Sequence, residues 1–498
     1  MSSLTKFVKG SVLLSIASVV VRLSGMLVLI PLARMLGAEQ LGIYSLVFWM
    51  VQCSTSVGML GVDVAMHRNG AKLYQTDPIA TGRLLGTGTL LMGTSFTTLA
   101  LSLWIWRLPL AEHWIVNVSA ARWFGFAAVM LLLEGIGLIG MTLLLSLHRF
   151  REHSLATAAG AFGRLLLSPL LALNYGLAGA LLGLTLASFL QCITAWIIFS
   201  RTKKQYGIHL SCKGFWKESR EIFQFGMPFW AGNALIALLT IPIMGEIGRV
   251  AGVATLGQMR IAQSLSQIVN FLPGAIAPVA ISVLSETYTT ESDDREFRRL
   301  RSLHLRGNWL LALTLVVFLS ITSRPLIQLL FGDAYQAAVP LVIGMGWVSL
   351  MVVIVENLNL YSLTAGNTGL IAIGSILQKV AFIGLTFWLI PLAGGIGFVI
   401  SLFIGYVVQL LAIVTGLWRN LEKTLKENFW VLSLWSALMF GIVYGTISLN
   451  LPTILTLFIS ILFSSINAVV VILLVFTKNE KLSLQKNVVA LINKRLNR

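Results

Sequence analysis

Charge is what this 498-residue chain has least of: 11% of its residues are Asp, Glu, Lys or Arg, against 57% hydrophobic ones. With a mean hydropathy of +0.86 it carries more apolar surface than a water-soluble core could hide, so it reads as a polytopic membrane protein. Its three cysteines, Cys53, Cys192 and Cys212, stand far apart without CxxC or metal-ligand spacing, which indicates neither a disulfide framework nor a metal site. No Gly-Lys dipeptide occurs, hence no P-loop and no ATPase domain, and HExxH and GxSxG are missing as well. The largest polar stretches run to about twenty residues, too short for an enzymatic domain. A membrane-embedded glycan polymerase or transferase would need a substantial outer loop, and the outer loops here are short, so no enzyme is expected.

What is present is a series of apolar segments, each long enough to cross about 30 Å of hydrocarbon. They fall at 10–34, 41–66, 84–104, 122–147, 155–174, 178–200, 224–245, 254–283, 308–331, 338–362, 369–390, 396–418, 429–448 and 453–477, which predicts an all-α protein of about 14 transmembrane helices. The first run follows Lys6 and Lys9 as a signal peptide would, but it is too long, contains Arg22 and lacks a small-x-small cleavage site; it reads as a retained span. The 254–283 run reads as one tilted helix bent by Pro273 and Pro278. With both ends placed in the cytoplasm, 27 of the 36 basic residues fall in cytoplasmic segments and five outside, the bias expected of inner loops. That distribution accounts for the net charge of +17 through anionic lipid headgroups, with no need of nucleic acid.

The chain also repeats itself. Gly37-x-x-x-Leu41-Gly42 returns as Gly252-x-x-x-Leu256-Gly257, 215 residues later. Gly176-Leu-Ala-Gly179 returns as Gly394-Gly-Ile-Gly397, and Gln191 as Gln409, both at an offset of 218. Two six-helix pseudo-symmetric lobes are expected, 1–200 (helices 1–6) and 224–418 (helices 7–12), joined by a cytoplasmic linker at 201–223. An additional helix pair (13–14) at 429–477 and a basic cytoplasmic tail at 478–498 complete the chain. Parallel repeats about an axis along the membrane normal suit a protein that opens alternately to each side.

Four basic residues, Arg22, Arg164, Arg260 and Lys379, lie inside spans, and Arg22, Arg164 and Lys379 sit near mid-span. Each costs roughly 2.5–3.5 kcal/mol to insert, so each is expected to face a partner, water or the bundle interior. The simple alternative is pairing with Glu134, which is also mid-span, or with helix carbonyls. One central carboxylate cannot neutralise three cations, and a diphosphate matches the surplus, since guanidinium grips phosphate oxygens through paired hydrogen bonds. Advancing Arg164 by 215 lands on Lys379, which would set one cation in each lobe at similar depth. Glu134 is the candidate for coupling to a proton or sodium gradient, or for charge balance. Asp63 and Glu356 lie near cytoplasmic helix ends, where solvation or a bridge to Arg68 competes with an ion site. Trp104, Trp106, Trp114, Trp309 and Trp430 are read as interfacial anchors, and Asn117-Val-Ser119 as a chance sequon.

RMLGAEQLGIYSL, FGDAYQAAVPLV at 331–342, NYGLAGALLGLTLASF and IPLAGGIGFVISLFIGY together resemble the O-antigen-type flippases, the polysaccharide-exporting branch of the multidrug/oligosaccharidyl-lipid/polysaccharide superfamily, over about 30 to 410. The resemblance implies two six-helix bundles around a V-shaped cavity. It also implies export of undecaprenyl-diphosphate-linked oligosaccharide (O-antigen, capsule or exopolysaccharide repeat units) from the inner to the outer leaflet of the bacterial inner membrane. By similarity to lipid II flippases, VRLSGM at 21–26 and ARMLGA at 33–38 carry over roles to Arg22 and Arg34. The family's helix-eight cavity arginine would fall near Ile268, whereas Arg260 lies two turns earlier, a departure from the pattern. The expected cationic cavity is therefore Arg22, Arg34, Arg164, Arg260 and Lys379. Implied partners are the lipid-linked oligosaccharide, anionic lipids, and downstream polysaccharide polymerase and export proteins. No cofactor is expected. An ion-coupled multidrug extruder of the same superfamily is the alternative; extruders of lipophilic cations favour intramembrane carboxylates, whereas the central charge here is mainly basic.

Overall fold

The computed structural model describes residues 3–74, 76–115, 120–289, 294–364, 368–417, 423–449 and 453–475. Among them every regular element is helical, in chain order α1 Ser3–Gly58, α2 Val62–Leu73, α3 Pro78–Ile105, α4 Arg107–Trp114, α5 Ala121–Ser146, α6 Phe150–Gln205 and α7 Phe215–Ala251. There follow α8 Val253–Thr289, α9 Asp294–Leu330, a 3-10 turn Asp333–Ala338, α10 Val339–Thr364, α11 Thr368–Leu417, α12 Lys423–Ser448 and α13 Thr453–Val475. Nine helices among the described residues are long and apolar enough to cross a membrane, and the chain is a multi-pass membrane protein.

Three of these helices are too long for one crossing, and each breaks at a glycine. Gly37 in α1 (φ 71°, ψ 174°), Gly176 in α6 (φ 54°, ψ −132°) and Gly394 in α11 (φ 53°, ψ −128°) adopt positive φ, which an L side chain resists. Each break divides one of the long helices between two of the apolar segments seen in the sequence. In α6 the two halves fold back on one another, so that a Cβ on Gly179 would meet the Leu171 carbonyl oxygen at 2.0 Å and one on Gly160 the Gln191 side chain. In α11 the halves also face one another: a Cβ on Gly374 would stand 3.2 Å from Ile413 and 3.5 Å from Gln409. Gln191 and Gln409 thus occupy equivalent places, at the offset of 218 that also relates the two kinks.

The 41–66 segment is not one helix: α1 ends at Gly58, Leu60 and Gly61 take positive φ, and α2 begins at Val62. By contrast 254–283 lies within one continuous helix, α8. At the start of α3 the Asp77 carboxylate accepts from the Ala80 N–H at 2.8 Å, with Pro78 at the first helical position, a favourable helix opening.

The described chain forms two compact units, one of 1–261, 330–335 and 387–395, the other of 262–329, 336–386 and 396–498. In the first, α1 packs on α5, α6 and α7, and α3 on α5. Here the two Gly-x-x-x-Leu-Gly turns touch reciprocally: a Cβ on Gly42 would meet the Val253 carbonyl oxygen at 1.9 Å, and one on Gly257 that of Ala38 at 2.5 Å. Since 42 and 257, like 38 and 253, differ by 215, each half of the contact repeats the other, as across a two-fold axis.

In the second unit buried polar contacts attach the last two helices. Trp309 Nε1 on α9 donates to Ser436 Oγ on α12 at 3.0 Å, and Asn467 on α13 donates to Thr314 Oγ1 at 2.6 Å while accepting from Trp435 at 2.7 Å. Trp309 is therefore a packing residue, 2% exposed, rather than an interfacial anchor, and Trp114 is buried against Gly245. Trp104, Trp106 and Trp430 are exposed, with Arg107 stacked over Trp104 at 4.0 Å. The 117–119 sequon lies outside the described residues.

Candidate functional site

Beyond the Gly37 break, α1 turns Tyr44, Phe48 and Gln52 along a single face at a spacing of four residues. Opposite that face stands Glu134 on α5. Its neighbour Gly135 explains the close fit: a Cβ there would meet the Phe96 ring of α3 at 2.4 Å, so only glycine admits the buried Phe96 beside the carboxylate-bearing turn. Gln52 Nε2 donates to Glu134 Oε1 at 2.8 Å. Arg164 of α6 acts electrostatically on both Glu134 and Tyr44. Arg260 of α8 lies over the Phe48 ring, 4.0 Å from its centroid, and acts on Tyr44 and Arg164. Phe48 thus gives Arg260 an aromatic face, a favourable contact for a cation away from water.

Two guanidiniums and one carboxylate meet here, all within the first compact unit. Glu134 Oε2 and Arg164 Nε are buried and bonded to no protein group. Buried polar atoms are normally satisfied, so a cluster that leaves a donor and an acceptor over is suited to a polar ligand or a moving proton. The two-to-one balance favours an anion.

The other expected site residues lie apart from this cluster. Arg22 is exposed on the first half of α1, and no ion pair to it is found among the described residues. Arg34 is also exposed; its Nε donates to the Leu330 carbonyl at 2.9 Å, while the Tyr335 hydroxyl donates to the Ala33 carbonyl beside it at 3.0 Å. Lys379 is half-buried in the first half of α11, in the second compact unit. Asp63 opens α2 and acts on His67, whose pKa burial lowers. Its expected partner Arg68 instead stacks over Phe225, 4.1 Å from the ring centroid. Glu356 is exposed on α10 and acts on Tyr406. Sequence reasoning passed over Tyr44, Phe48 and Gln52; their spacing of four on one helix was the available signal.

Residues 31–340 match the family model of polysaccharide biosynthesis proteins. The chain belongs to that family. Among solved structures it is similar to the lipid II flippase MurJ in an inward closed conformation, with a TM-score of 0.72 and 13% identity, covering 93% of this chain and 99% of that one. It is also similar to an inward-facing multidrug resistance transporter of the MATE family, with a TM-score of 0.64 and 16% identity over 82% of this chain and 99% of that one. A third likeness is to a transporter of the same superfamily from Pyrococcus furiosus, described as having a binding pocket of reversed polarity, with a TM-score of 0.52, 15% identity, and 82% and 95% coverage. At these identities the likeness shows the fold, which is that of membrane transporters. No curated protein matches the chain in sequence.

Proposed function

We propose that this protein is a flippase that carries an undecaprenyl-diphosphate-linked oligosaccharide from the cytoplasmic to the outer leaflet of the bacterial inner membrane by alternating access. The observation that carries this reading is the buried cluster of Arg164 and Arg260 against Glu134, with Arg164 Nε unmatched by the protein. A diphosphate supplies acceptor oxygens for such donors, and charge-assisted hydrogen bonds are worth about 1.5–3 kcal/mol each. The polyprenyl tail stays in lipid, so no hydrocarbon is threaded through water. Arg22 extends the cationic path in this reading, with Arg34 at its outer rim, and Lys379 is a further candidate cation in its own unit. The lobes 1–200 and 224–418 rock against each other, with both termini cytoplasmic. The reciprocal contact of Gly42 and Gly257 supplies a fulcrum, because backbone packed on backbone at a symmetry axis rotates with little displacement. Membership of the polysaccharide biosynthesis family supports the substrate class.

Glu134 favours a second reading in one respect. A buried carboxylate with an unsatisfied oxygen is also what an ion-coupled extruder of cationic drugs needs, and the fold is shared with such transporters. Translocation in vesicles separates the two. The protein is expected to move a diphosphate-linked oligosaccharide lipid and to lose at least tenfold in rate in Arg164→Ala, which removes about one charge-assisted bond's worth of binding. Efflux of a lipophilic cation that survives Arg164→Ala and is lost in Glu134→Gln would replace the flippase reading with the extruder.

A further inference from the structure

Away from the charged cluster, α3 carries a groove of about 610 Å³ along one face, from Gly86 through Thr89, Gly93 and Thr94 to Thr97, closed at one end by Leu210–Cys212. The span from Gly86 to Thr98 is about 18 Å of helix, a little more than the ~15 Å half-thickness of a hydrocarbon core. Three of its four threonines add little polarity. Thr89, Thr94 and Thr97 each donate their hydroxyl to the carbonyl four residues back, at 2.7, 2.9 and 2.8 Å, so the wall offers hydrocarbon and methyl groups to an occupant.

The closed end is built differently. There the stretch after α6 is strapped to α3: the Ser211 N–H donates to the Gly82 carbonyl at 3.1 Å, and a Cβ on Gly82 or Gly86 would collide with its backbone. Directly past the strap come Lys213, Trp216, Lys217 and Arg220, all exposed, with Trp216 at 84%. The nearby Glu218 is matched by Arg83 at 3.4 Å, so the exposed cations outnumber the remaining carboxylate, Glu221. A tail-length apolar groove ending in a cationic, Trp-bearing rim has the chemistry of one lipid molecule: tail along α3, phosphate at the lysines, Trp at the headgroup level.

We propose that this face of α3 and the strap binds one anionic phospholipid of the surrounding bilayer, its acyl chain lying along Gly86–Thr97 and its phosphate held by Lys213 and Lys217. The bound lipid completes the first compact unit on its lipid side and ties the strap to the membrane surface.

The test is native mass spectrometry of the full chain released from membranes containing phosphatidylglycerol and phosphatidylethanolamine, with detergent washing to find the last lipid retained. Wild type should keep one phosphatidylglycerol after all phosphatidylethanolamine is gone. Lys213→Gln/Lys217→Gln should hold it about thirtyfold more weakly, from two surface cations. Gly93→Trp should remove it with every charge in place; nothing lies within 4 Å of a Cβ there, so the fold has room for the ring. Thr97→Trp, at an exposed position on the same face, is the second filling variant. Equal retention of phosphatidylethanolamine, or retention unchanged in both filled variants, would overturn the site. So would a retained polyprenyl phosphate in place of the phospholipid, or a dimer mass that vanishes with Gly93→Trp and assigns the face to a second copy.

Discussion

Two glycine kinks, one in α6 and one in α11, share a geometry while the side chains around them differ in chemistry. Gly176 and Gly394 break α6 and α11 with nearly the same angles, and Gln191 and Gln409 each stand fifteen residues beyond their kink. The polar side chains do not follow. Advancing by 215, Glu134 becomes Ser349, Tyr44 becomes Met259 and Phe48 becomes Gln263, while Arg260 has Ser45 as its first-half counterpart. Arg164 falls on Lys379 at 215, but on Phe382 at the 218 that relates the kinks of α6 and α11. A kink that only glycine tolerates resists divergence, whereas a side chain facing a cavity is free to change as long as the cost of its charge is met locally.

The contact shared by both halves should be the most sensitive to substitution. Gly42→Leu drives a side chain into the Val253 carbonyl and should cost several kcal/mol, seen as a lower unfolding temperature and lost transport. Gly257→Leu should do the same to a smaller degree, since its nearest carbonyl stands farther off. Equal tolerance of both would break the reciprocity.

Next come Arg164 and Lys379, the two mid-span cations that an offset of 215 pairs. Arg164→Ala and Lys379→Ala should each slow export, and the double variant should be non-additive by more than the ~0.5 kcal/mol scatter of independent sites if both hold one ligand. Rates of the wild type, the two singles and the double in vesicles decide this. Strict additivity would leave the halves chemically independent.

Smaller still are the kinks. Gly176→Ala should lose about 1–2 kcal/mol in unfolding free energy from forcing alanine to a positive φ, and Gly394→Ala more, because its Cβ would also stand 2.8 Å from the Ala251 Cβ. Equal losses would show that Ala251 gives way and that the shared backbone alone sets the cost.

The smallest effect separates the halves by pH. His148, in the turn between α5 and α6, stacks on Tyr74 with centroids 5.7 Å apart, and partial burial lowers its pKa. The unfolded chain therefore binds this proton more readily, so His148's contribution to stability is complete above about pH 6.5 and is lost as pH falls below it. His148→Asn, which tolerates the left-handed φ of 55°, should flatten that part of the pH dependence of unfolding. An unchanged slope would place the sensitivity elsewhere.

By itself the sequence determined the helical membrane class, the family and the glycines at which long helices break. These follow from hydropathy, from span length and from the singular conformational freedom of glycine, which are properties of short stretches. It marked Arg164, Arg260 and Glu134 as costly residues in need of partners, but only the tertiary structure decided who the partners are. Gln52 and Glu134 are 82 residues apart, and Arg260 reaches Phe48 from a helix more than two hundred residues further on. The same holds for tryptophan: composition made Trp309 an anchor, and a hydroxyl on α12, 127 residues away, made it part of a core. A buried charge or indole states its need locally, through the cost of leaving water. What meets that need depends on which distant helices the packing brings alongside, and no local pattern records it.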